Sequence, residues 1–148
     1  MTSLYSWLRF VHLLGLALFL FGHGITAGTS LTLRARPDPA VSWTLLNLSI
    51  RSYALAYPGL LLLLVTGVWM GFLGNWWRWG WIWTAIGILV ALFAAMGALS
   101  VPYHKARDAK EDDVARESSL GGARPVVLSW VGAAGLLALI FLMVFKPF

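Results

Sequence analysis

The chain contains no cysteine, which excludes disulfides, thiolate metal sites and covalent c-type haem attachment. Charge is also scarce: Asp, Glu, Lys and Arg together make up 11% of the 148 residues against 59% hydrophobic ones, too few to solvate a water-soluble domain. Period-two alternation of apolar and polar residues is missing, and the apolar runs are far longer than the strands of an outer-membrane barrel. No carboxylate stands inside an apolar run, and no nucleophile with a paired base is visible. Hydrolytic chemistry is thereby disfavoured.

What remains is long and greasy. A bilayer core asks for about 20 apolar residues per helix, and four segments supply them: residues 4–29, 45–73 (membrane part 56–73), 81–103 and 125–145. The first run is longer than the apolar core of a signal peptide and lacks an A-x-A site, so it reads as a membrane helix. The expected fold is all-α, a single transmembrane domain over residues 1–148 built as a four-helix up-down bundle.

Lysine and arginine set the expected orientation. Arg34, Arg36 and Arg51 follow the first run and Lys105, Arg107, Lys110, Arg116 and Arg124 follow the third, whereas the other side holds only Arg9, Arg78 and Lys146. Both termini should therefore face outward, on the periplasmic side of a bacterial inner membrane. The net charge of +5 then reports topology and an affinity for anionic headgroups rather than nucleic acid. Trp76, Trp77, Trp79, Trp81 and Trp83 in "GNWWRWGWIW" suit an aromatic belt at the headgroup level. Asn47 and Arg51 share a face at i, i+4 spacing, placing them at the inner interface or on a polar extension of the second helix. The mixed-charge loop over residues 104–125 reads as a short solvated helix or as disorder. Gly67 and Gly71, the Gly87, Ala91, Ala94 and Ala98 face, and Gly132 and Gly135 are candidates for close helix packing.

The first run carries two histidines, His12 and His23. Eleven residues at ~100° each return His23 to within roughly 20° of His12, at a rise of about 16 Å. The two share a face but not a depth, so one metal ion cannot take both. Gly15, Phe19, Gly22 and Thr26 lie on or beside the same stripe, which should face the bundle, since ionisable groups avoid lipid. Depth matches His12 with Met70 and Met143, and His23 with Met96 and, toward the inner interface, Tyr57, Arg51 and His104. Imidazole and thioether are ligands for haem iron or copper. The glycines of "GHG" leave room for a flat macrocycle, and Arg51 is placed to pair with a haem propionate. The plain alternatives are a histidine hydrogen-bonded to a neighbouring helix, methionines that pack and an arginine that reaches the headgroups.

"FVHLLGLALFLFGHG" resembles the first helix of the small membrane superfamily containing copper-resistance D-type proteins, J-type protoporphyrinogen oxidase and related uncharacterised integral membrane proteins. That pattern has a histidine followed by an aromatic and a Gly-Gly pair, matched by His12, Phe21 and Gly22. "YPGLLLLLVTGVWM" is similar to the second helix of these proteins through Pro58, Gly59, Thr66, Gly67 and Trp69, and "FLMVFKP" to the C-terminal end of the uncharacterised branch. The resemblance implies a haem, porphyrin or copper connection, with His12 in the position linked to haem or porphyrin in the oxidase branch. His23 stands where the pattern has its second glycine, and Trp83 and Ala85 stand where the oxidase branch has His and Lys. Porphyrinogen oxidation is therefore disfavoured.

The expectation from these readings is a lipid-embedded protein that binds b-type haem, or a related porphyrin, through His12 and His23. Its work would be electron transfer across the bilayer or to quinone, alone as a homo-oligomer, with a redox partner protein or as a subunit of a complex. A copper or small-solute transporter lined by His12, Met70 and Met143 is the alternative, and a structural accessory subunit the third.

Overall fold

The computed structural model describes residues 2–35, 38–109 and 112–147. Arg36 and Lys110, both used above for orientation, lie outside the described residues. The described chain is helical almost throughout: α1 (Thr2–Leu33), α2 (Pro39–Leu73), a 3₁₀ turn (Trp76–Arg78), α3 (Gly80–Asp108), α4 (Asp113–Gly121) and α5 (Pro125–Phe145). Of these α1, α2, α3 and α5 are long and apolar enough to cross a membrane. Their outer surfaces fit that reading: Phe21 is 68%, Phe72 70% and Trp130 71% exposed, a burden of bare aromatic surface that water would penalise and hydrocarbon would not.

Helix ends follow local chemistry. Pro39 and Pro125 stand in the first turns of α2 and α5, where the missing N–H costs nothing. The α4 segment is the solvated short helix expected of the polar loop, opened by Asp112, whose carboxylate accepts from the Ala115 backbone N–H at 2.9 Å. Three helices, α1, α2 and α3, run longer than the apolar segments suggested. The second starts at Pro39, absorbs Asn47 and Arg51 as a polar extension, and continues through Pro58. Tyr57 is thus well inside the helix.

The closest helix contact joins α1 and α2. A Cβ on Gly59 would lie 2.5 Å from the Phe19 nitrogen and 2.8 Å from the Gly15 oxygen, and one on Gly22 would lie 2.7 Å from both Ala56 N and Ser52 O. Backbone touches backbone along this seam, which only glycine permits. Partners on α2 fall in number as those on α1 rise, so the pair is antiparallel. Hydroxyls line it too: Thr26 and Ser52 meet across it at 2.8 Å.

The pairing of α3 with α5 uses a different device. Leu92 fills the notch at Gly135, its side chain 2.3–2.7 Å from where a Cβ would stand. By contrast Gly87, Ala91, Ala94 and Ala98, expected to pack, are exposed, and nothing stands within 4 Å of a Cβ at Gly87. The larger neighbours on the other side of α3 took the partner, because they bury more area per contact.

Two apolar clusters close the ends. Leu33, Leu46, Tyr103, Ala106 and Leu128 gather at the arginine-rich end. Trp81, Ile82, Ala85 and Leu142, with Trp76 and Trp77 against them, gather at the other. Lys146 lies over both Trp76 and Trp81, 4.4 and 5.5 Å from their ring centroids, a cation–π cap on the tryptophan end. The histidines lie between the clusters.

Candidate functional site

His12 sits on the α2-facing side of α1, against a stretch of α2 that offers one hydroxyl in a long apolar run. Its Nδ1 is 2.9 Å from Thr66 Oγ1, and its Cε1 lies 3.4 Å from where a Gly67 Cβ would be. The absence of a side chain at Gly67 lets the ring come close to the helix. Thr66 Oγ1 is 2.5 Å from the Leu62 carbonyl, so its single proton is committed there. With that proton on Leu62, Thr66 is an acceptor for an Nδ1–H of His12. An Nδ1–H donor corresponds to the tautomer whose Nε2 keeps its lone pair, the arrangement by which an outer hydrogen bond orients a metal-ligating histidine.

His23 is held differently. Its ring stacks on Phe19, one turn earlier, with centroids 5.5 Å apart and planes 11° apart. Its Nε2 points across to α5, 3.3 Å from where a Gly132 Cβ would stand, and Met96 of α3 comes to the same spot, with its Cε at 3.5 Å and its Sδ at 3.9 Å. An imidazole nitrogen and a thioether sulfur, soft ligands both, therefore converge on one glycine. On the same face of α5, Ser129 Oγ is buried without a hydrogen-bond partner among the described residues.

The structure brings His23 and Met96 to the same glycine of α5 and gives His12 to Thr66. It does not gather the rest. Met70 is buried one turn beyond Thr66, while Met143 is 39% exposed. Gly15 and Gly22 are covered by the α2 backbone, so the room they leave is filled by a helix. The open glycines of the stretch are Gly24 and Gly28, with nothing within 4 Å. Tyr57 is 63% exposed and packs on Tyr53, centroids 5.1 Å apart. Arg51 is exposed. His104 is exposed too, on the wall of a groove at the arginine-rich end. Among the described residues no three His, Cys, Asp or Glu cluster in a way that could hold a metal ion.

Thr66 was the residue missed as a partner. It is the only hydroxyl between Pro58 and Asn75, and a lone polar group in a membrane run asks for a partner across the interface. That signal was available. The meeting of His23 with Gly132 was not, since it depends on how α5 packs against α1.

A model of predicted integral membrane proteins, DUF2269, matches residues 6–147, which takes in both histidines and all four long helices. The chain belongs to this family. The match agrees with the uncharacterised branch of the resemblance drawn from the helix motifs. No curated protein and no solved structure matches the chain.

Proposed function

We propose that this DUF2269 member is a small membrane redox protein that holds b-type haem, with the His12 imidazole as an axial ligand. The observation that carries the reading is the His12–Thr66–Leu62 relay: it spends the Nδ1 proton on α2 and leaves Nε2 free to bind iron. Haem would supply a one-electron couple, and His23, about 16 Å further along the same helix, would give a second ligand at another depth. Two such stations suit electron transfer across the bilayer or to quinone. The excess of Lys and Arg in the connections between helices favours both termini outside, in a bacterial inner membrane.

A second reading has its own support. His23 Nε2 and the Met96 thioether converge at Gly132, an imidazole and thioether pair that suits copper(I). One experiment separates the two. The detergent-purified protein, expressed with ample haem, is examined by absorption before and after dithionite, alongside His12→Ala and His23→Ala. The haem reading expects a Soret band and a reduced α-band that His12→Ala removes or halves. A featureless spectrum would sink it, and copper retained by the wild type but lost in His23→Ala and Met96→Leu would establish the second.

A further inference from the structure

At the arginine-rich end, α2 and α3 part to form a groove of about 470 Å³, within the usual size range of a small-molecule site. Trp43, Asn47 and Ile50 of α2 line one wall, and His104, Arg107 and Asp108 of α3 the other. Arg107 is anchored without being neutralised. Its Nε donates to the Tyr103 carbonyl at 3.2 Å, its Nη2 to Tyr53 OH at 3.3 Å, and its guanidinium lies 5.7 Å from the Tyr53 ring centroid. Among the described residues the one ion pair is Arg116 with Asp113, so Arg107 and Asp108 each bring an unpaired charge to the groove, one of each sign.

The wall formed by α2 does not stop at the groove. Residues 43, 47, 50, 54, 57, 61, 65, 68 and 72 fall within about 40° of one line along the helix. From Ala54 onward every one of them is exposed and, Tyr57 apart, apolar. Leu64, Val65, Val68, Trp69 and Phe72 form an open apolar trough at the far end of that line. A polar groove carrying both charges thus opens onto a hydrocarbon track running nearly the length of the helix.

We infer that this groove binds the headgroup of a zwitterionic phospholipid bearing a primary ammonium, a phosphoethanolamine, with its acyl chains lying along the exposed face of α2. The phosphate takes the free donors of Arg107, which a guanidinium presents in a planar fork. The ammonium takes Asp108. Asn47 and the Trp43 indole complete the polar wall at the depth where indoles sit in membranes. A purely anionic lipid would meet Asp108 with the wrong sign, so the paired charges select the zwitterion. The inference is independent of the haem reading, since none of its contacts involves His12 or His23.

The test is native mass spectrometry of the full chain, released from micelles holding equal amounts of phosphatidylethanolamine and phosphatidylglycerol. The ethanolamine lipid should be retained up to about fivefold over the glycerol lipid, the upper end for an exposed ion pair. Asp108→Asn, at an exposed position, should abolish that preference without altering the melting of the protein. Arg107→Gln should lower retention of both lipids. Equal or greater retention of the glycerol lipid by the wild type, or an unchanged ratio in Asp108→Asn, would overturn the assignment. So would displacement of the bound lipid by an equal concentration of soluble phosphoethanolamine, which lacks the chains that α2 is said to hold.

Discussion

Gly22 and Gly24 stand two residues apart on α1 and flank His23, yet they meet opposite surroundings. A methyl group at Gly22 would come within 2.7 Å of two α2 backbone atoms and 3.0 Å of the Ala56 Cβ, whereas one at Gly24 would meet nothing within 4 Å. Ordinary carbon contacts sit near 3.5–4.0 Å, so Gly22→Ala must push α1 and α2 apart by about 1 Å. Backbone atoms cannot rotate out of the way as a side chain could. Such a gap forfeits a quarter to a half of each dispersion contact along the seam, and overpacking of this kind costs about 1–3 kcal/mol. Both substitutions gain the same helical propensity, about 1 kcal/mol in water, so the difference between them isolates the packing term. Unfolding in mixed micelles by titration with SDS, followed by circular dichroism, should place Gly22→Ala about 1–3 kcal/mol below Gly24→Ala. Equal stability of the two variants would refute the close approach of α1 to α2. It would also remove the frame that holds His12 against Thr66.

The Thr66→Val substitution takes away the acceptor of the His12 Nδ1 proton and should cost about 0.5–1.5 kcal/mol. If His12 binds iron, the same change should weaken haem affinity about 10–100-fold, read by haem titration; an unchanged affinity would detach Thr66 from the site. Leu46 is 1% exposed in the cluster at the arginine-rich end, and Leu46→Ala should lose about 2–5 kcal/mol, measured by the same unfolding titration, while the exposed Leu61→Ala should lose far less.

The position of the membrane segments was legible because it depends on composition alone. Within a bilayer, a run such as residues 125–145 must bond its backbone internally and so forms a helix, and α5 (Pro125–Phe145) ends where the run does. The polar extension of α2 was harder to bound. Its start at Pro39 lies six residues before the expected 45, and Pro58 does not break it, because in a membrane helix the carbonyl left unpaired by proline is tolerated. Small residues were legible as packing signals but not as assignments. Gly15, Gly22 and Gly59 are used at backbone contact, and Gly87 is not used at all, although sequence spacing treats them alike.

Periodicity by itself determined that His12 and His23 share a face and lie about three turns apart, since a straight helix leaves no freedom in either quantity. It also determined, through the scarcity of charge, that this face would be among the few polar places in the protein. Which groups meet those imidazoles was decided only by the tertiary structure. The register of α2 against α1 places Thr66 at Nδ1 of His12, and the approach of α5 brings His23 Nε2 and the Met96 thioether to Gly132. Register and helix choice arise from side-chain interlocking between segments distant in the chain, and no local pattern encodes that.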